Sequence, residues 1–228
     1  MIRKPERASL GRARAARDPG DPASFLRRHK VVTLTRSAWV PSVVEALAGG
    51  NVRGSWWGHP AGRRIYAFAS ALAASPEVLT TKLVDGKVTF VHRALWPALL
   101  RVVTDPGWRA IAERGLTPPA RRLLEAVERA GELRLDRWDA GRPLGKRALA
   151  AARLELERAA LVLGTEIHTE KGSHEIALRS WSRFADRPLR AEAARLSFAE
   201  ALGAIRKACR GLPSSVEAGV RGRSGGSG

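Results

Sequence analysis

The sequence predicts a mainly helical α+β fold built from two tandem helix-turn-helix modules of the winged type. Three observations lead there. Alternating β-rich runs flank Asp85–Gly86 and again Lys171–Gly172, each a two-residue hairpin signal. Segments of helical periodicity precede each hairpin. Each hairpin is then followed by a tryptophan, Trp96 or Trp181, at the start of a further helix.

In the first module, residues 35–112, Ser37 is read as the N-cap of a helix through AWVPSVVEALAG that stops at Gly49–Gly50. A loop with Trp56 and Trp57 follows. His59–Pro60 then opens a second helix with Ile65, Phe68, Ala69 and Leu72 on its buried face. Pro76 breaks it, and the runs VLTTKLV and KVTFV form the hairpin before a last helix, HRALWPALLRVV. The second module, residues 115–185, repeats the order. Thr117 caps a helix opened by Pro118 and Pro119, with Leu123, Leu124 and Val127 buried and Gly131 as its stop. ELRLDRWDAG gives a short helix or turn. The longest amphipathic segment follows, with Leu149, Ala152, Leu156 and Ala160 inward, and then the hairpin GTEIHTE-KG-SHEIAL. Residues 186–211 read as a C-terminal helix. Residues 1–30 read as a disordered basic tail, and 212–228 as a disordered Gly/Ser/Arg tail.

The chain of 228 residues is 44% apolar, enough for a real core, and no apolar run approaches the ~20 residues a membrane span needs. The basic N-terminus lacks the apolar stretch of a secretory signal. A single cysteine, Cys209, excludes an internal disulfide and a cysteine zinc site. A cytoplasmic, nucleoid-associated protein of bacterial type is the expectation. Net charge is +18, arising from 40 basic and 22 acidic residues, and arginine far outnumbers lysine. Such an excess favours polyanions, with duplex DNA first and RNA second. It is spread over the chain: residues 1–30 carry +6, 31–116 carry +5, 117–170 only +1 and 171–228 carry +6.

In a winged module the third helix enters the major groove and the hairpin reaches the neighbouring backbone. The predicted contacts are Arg63 and Arg64 at the helix start of the first module, with Lys82 and Lys87 flanking its wing. In the second they are Lys146, Arg147, Arg153 and Arg158 on the helix, Arg142 leading in and Lys171 at the wing tip. Trp39, Trp96, Trp108 and Trp181 are read as core. Trp56 and Trp57 lie in RGSWWGHP, between Arg53 and Arg63–Arg64, and are base-stacking candidates; pinning the loop to the core is the competing role, favoured for at least one of them.

His168, Glu170 and His174 are better explained by wing polarity than by metal ligation. No Ser-His-Asp, HExxH, P-loop or GxGxxG pattern is present. No metal, no cofactor and no catalytic set is read from the sequence, and the oligomeric state is not encoded in any legible way.

The tandem modules and the segment EIHTEKGSHEIALRSWSRFA, within residues 37–185, resemble the YcaQ/AlkZ-type winged-helix DNA glycosylases, bacterial enzymes acting on crosslinked DNA. The resemblance implies a DNA-binding scaffold tied to DNA repair. That family uses a Gln-x-Gln catalytic motif, and this chain contains no glutamine, so no catalytic residue is carried over. The leading expectation is therefore a non-enzymatic duplex-DNA-binding protein of repair or transcription. One alternative is a lesion glycosylase using Asp85, Glu166 or Glu170 near Trp56–Trp57. The other is a winged-helix protein docking RNA or another protein.

Overall fold

The computed structural model describes residues 19–138, 143–168 and 174–209, with the side chains of residues 166–168 and 174 left aside. The fold is α+β: helices surround two three-stranded antiparallel sheets. The first sheet has the order β1-β3-β2, with β1 Val31–Thr33, β2 Val78–Val84 and β3 Lys87–His92. The second has the order β4-β6-β5, with β4 Glu132–Arg134, β5 Leu163–His168 and β6 His174–Arg179.

The first unit begins earlier than its sequence suggests. Pro22–His29, read as part of an unstructured tail, form helix α1. Asp21 caps it by accepting the Ser24 N–H at 2.9 Å, a bond that holds its carboxyl below the usual carboxylate range. Phe25 and Leu26 bury its inner face. Strand β1 follows, too short to carry an alternation of its own, and all three of its residues are buried. The next helix is shorter than read. Pro41 disfavours the helical conformation at Val40, so α2 covers only Val43–Ala48. Its cap is Ser42, which accepts the Glu45 N–H, whereas Ser37 holds only a local turn by accepting the Trp39 N–H at 3.1 Å. Helix α3, Gly62–Ala74, buries Ile65, Phe68 and Leu72. The β2–β3 turn falls where it was read. Asp85 and Gly86 both have positive φ, +54° and +68°, as a type I′ hairpin requires. A bulge interrupts the register between Thr81 and Val84. There the buried Thr89 hydroxyl accepts the Val84 N–H and donates to the Lys87 carbonyl, so the irregular backbone stays satisfied.

Helix α4, Trp96–Val103, and helix α5, Pro106–Arg114, lead to the second unit. Helix α6, Pro118–Ala130, runs into β4 and a 3₁₀ turn at Leu135–Arg137; β4 replaces part of the helix or turn read there. Helix α7 spans Gly145–Arg158 and precedes the β5–β6 hairpin, whose turn at Lys171–Gly172 lies outside the described residues. Thr117 does not cap α6 with its side chain. Its N–H and hydroxyl donate instead to the two oxygens of Glu155 on α7, at 2.8 and 2.7 Å. Helix α8 is Trp181–Phe184. The single C-terminal helix read over 186–211 is two, α9 Arg187–Ala194 and α10 Phe198–Ala208. The break is set at Ser197, which forms a capping box with Glu200.

Two clusters share the core. The smaller packs α1, α2 and α3 on one face of the first sheet through Phe25, Val43, Ile65, Leu72 and Phe90. The larger takes the other face of that sheet, through Val31, Leu79, Leu83 and Val91, and continues without a break through α4, α6, α7 and β5 to α10. The first sheet is thus buried on both faces. Trp108 and Trp181 lie within the large cluster, and Trp39 and Trp96 pack against it. Among the described residues no helix is long and apolar enough to cross a membrane.

Candidate nucleic-acid interface

The basic residues singled out in the sequence fall into two groups. Arg63 and Arg64 on the first turn of α3, and Lys146 and Arg147 on the first turn of α7, are exposed. Lys82, Lys87 and Arg153 have partners within the fold. Glu157 on α7 is only 3% exposed, and its Oε2 lies 3.6 Å from Lys82 Nζ and 3.4 Å from Arg153 Nε. A buried carboxylate without such partners would be strongly disfavoured, so the two cations answer its charge. Lys87 donates its ammonium to the Arg36 carbonyl and lies 4.0 Å from Asp85. Of the residues read as DNA contacts, Lys82 and Arg153 thus have an internal carboxylate partner, and Lys87 has partners at the hairpin tip, none of which periodicity reveals. Arg142 and Lys171 lie outside the described residues.

The β2–β3 hairpin does not project as a free arm either. Strand β2 packs on α7 and β5. At the tip, the Arg158 guanidinium lies so close over Gly86 that a Cβ there would sit 2.5 Å from its Nε. Within β5, Gly164 is equally hemmed in, because a Cβ would meet the Glu157 side chain. The first hairpin is therefore a strut between the two units.

Helix α3 is different. From residue 46 to residue 76 the chain has no acidic side chain, while Arg53, Arg63 and Arg64 lie within that stretch. The exposed face of α3 carries Arg63, Tyr66 and then small residues, Ala67, Ser70, Ala71 and Ala74. Just before it, Trp56 and Trp57 form a 3₁₀ turn capped by Ser55. The two indoles stack at 4.3 Å between centroids with 22° between planes. Trp56 packs against the smaller core cluster, so it pins the loop, whereas Trp57 is 63% exposed. Tyr66, 55% exposed, meets Trp57 at 5.4 Å. Trp57 and Tyr66 are the large exposed apolar side chains among the described residues. The turn is rigidly tied: His59 N–H donates to the Trp56 carbonyl, Ala61 N–H to His59 Nδ1, and Gly62 N–H to the His59 carbonyl. Gly62 cannot be replaced freely, because a Cβ would sit 2.8 Å from the Trp57 carbonyl oxygen.

Sequence reading had not singled out Tyr66. The signal was there, since the step from Ile65 turns a helical residue about 100° off the buried stripe of Ile65, Phe68 and Leu72.

Near the start of α7 a cleft of about 670 Å³ is lined by Trp138, Leu149 and Ile176 with Lys146 and Arg153. Asp136 at its edge accepts from Arg134 Nε and Nη2, at 3.1 and 2.7 Å, which keeps its carboxyl below the usual range. Of the acids proposed for a glycosylase, Asp85 sits at the hairpin tip, accepting the Ser37 hydroxyl and facing Lys87. The Glu166 side chain and Glu170 lie outside what is described. His168 and His174 are register partners, the pair of β5 and β6 next to the connection between the two strands. Cys209 is buried, and desolvation pushes its thiol to about 11, which makes it a poor nucleophile at neutral pH.

Comparison with protein-family models, with curated proteins and with solved structures gives no match for this chain.

Proposed function

We propose that this protein is a duplex-DNA-binding protein with two winged helix-turn-helix units, and that helix α3 of the first unit is the element laid in the major groove. The order helix, strand, helix or turn, helix, hairpin occurs twice, each time with the short strand paired to the last one, which is the order a winged unit needs. The observation that carries the reading is the acid-free stretch 46–76 with its exposed arginines and the small-residue face of α3. Thirteen residues make a helix about 20 Å long, and alanine and serine along its outer face let its backbone sink into a groove about 12 Å wide. Arg63 and Arg64 then meet phosphates or guanine edges at its entry. Repair or transcription is the role we propose for that binding, repair being the one the sequence resemblance to the YcaQ/AlkZ-type glycosylases suggests.

The test is a salt titration of binding to matched duplex DNA, single-stranded DNA and structured RNA of equal length. Duplex is expected to bind most tightly and with a steep salt slope, and Arg63→Ala is expected to lower that slope by about 1. Equal or tighter binding to RNA, or a slope indifferent to Arg63, overturns the proposal.

A further inference from the structure

We infer that Trp57 is a stacking platform for a nucleobase that has left the helical stack, so that the preferred ligand is duplex DNA interrupted by an unpaired or unstacked base. The inference rests on the duplex-binding proposal and narrows its ligand. A continuous duplex offers base edges in its grooves and no free base plane. Trp57 offers the reverse, a flat apolar plane in water beside a cationic helix. One face of its indole is taken by Trp56, stacked at 4.3 Å, and its flank is braced by Tyr66 at 5.4 Å. The rest stays 63% exposed. Trp56 is itself seated on the core beneath α3, so the outer ring is backed by the body of the protein.

The backbone under the ring is fixed as well. The Trp57 N–H is held by the Ser55 hydroxyl at 3.4 Å, and its carbonyl lies over Gly62, where no side chain fits. A platform fixed in advance loses little conformational freedom when a base lands on it. Electrostatics select the partner. With Arg53, Arg63 and Arg64 close in the chain and no acid between residues 46 and 76, the segment that carries the ring favours a polyanion over a basic protein surface. Extruding a base costs a few kcal/mol in paired DNA and least where the base already lacks a partner. The ring therefore gains most at an interruption.

The experiment compares the full chain on three oligonucleotides of one length: matched duplex, the same duplex with one unpaired nucleotide, and single strand. The unpaired position carries 2-aminopurine, whose fluorescence falls on stacking. Tighter binding to the interrupted duplex is expected, on the order of 5- to 100-fold, with quenching of the probe. Trp57→Ala is expected to abolish both while matched-duplex affinity stays within about twofold, and Trp57→Phe to restore part of the preference. The ring is exposed, so the urea midpoint of Trp57→Ala checks that the fold is intact. Equal affinity for the two duplexes, or a preference that survives Trp57→Ala, overturns this inference alone. Failure to bind either duplex overturns the DNA-binding proposal with it.

Discussion

Helix α3 and helix α7 hold the same place in two copies of one element order, yet one faces water and the other faces its neighbour. Along α3 there is no acid, and the outer face is Arg63, Tyr66 and a run of small residues. Along α7, Glu155 reaches Thr117 at the start of α6, Glu157 binds Lys82 of the first sheet, and Arg158 lies over the first hairpin's tip. The first hairpin is clamped against α7 and β5 through β2, while the two sheets keep the same strand order, β1-β3-β2 and β4-β6-β5. A repeated order of elements therefore does not give a repeated surface. Which helix is free is decided by where the carboxylates sit and what they draw in.

The joint at Glu157 offers the largest test of that difference. Glu157→Ala leaves Lys82 and Arg153 facing each other across a buried gap without their counter-charge. Removing one partner of a buried pair costs 3–5 kcal/mol, and because these two cations keep a quarter and a fifth of their side chains exposed, about 3 kcal/mol is expected by urea denaturation. A loss under about 1 kcal/mol would mean that the two units are not held through α7.

The next test compares the helices as ligand surfaces. Lys146→Ala with Arg147→Ala is expected to change matched-duplex affinity less than Arg63→Ala with Arg64→Ala, and to lower the salt slope by less than the ~2 expected of two phosphate contacts. Equal effects from the two pairs would place both helices on the DNA and remove the asymmetry argued above.

The smallest expected effect is a pH dependence confined to the first unit. His92 Nδ1 accepts the Ala94 N–H at 3.2 Å where β3 ends. Partial burial, and then the positive charge of Lys30, push the imidazole below its ordinary value of 6.5. The unfolded chain thus takes up the proton first as pH falls. The contribution of His92 is fully present above pH 6.5 and is lost as pH drops through the lower folded value. His92→Asn, which keeps an acceptor without titrating, is expected to flatten this part of the stability profile in urea titrations from pH 7.5 to about pH 5. An unchanged profile would assign the acid sensitivity elsewhere, for instance to the Asp21 and Glu200 caps, whose depressed carboxyls lose their contribution only at lower pH.

Local chemistry made part of this legible in the sequence. Asp85–Gly86 sets its own turn, Thr117–Pro118 marks the start of α6, and the stripe Leu123, Leu124, Val127 names its buried side. Short strands were not legible, because β1 and β4 have three residues each and become strands only by pairing with β3 and β6. Helix α1 was masked by the arginine-rich sequence around it. The engagement of Lys82 by Glu157, 75 positions away in the chain, has no local signature at all. In the candidate site, Trp57 and Arg63 were visible as residue types in a suggestive order. Their exposure, and the role of Trp56 as a backing plate, depend on packing.

The burial of the first sheet on both faces bears on how the molecule comes apart. Leu79, Leu83 and Val91 belong to the cluster that runs on through α4, α6 and α7, and β2 packs directly on α7 and β5. A chain cut between α5 and α6 would expose that part of the cluster in one fragment and strip the support from the other. Despite its repeated plan the protein is expected to unfold in a single cooperative transition, and neither half to persist as an independent piece. A repeated order of elements is thus expected to behave as one thermodynamic unit rather than two beads on a string.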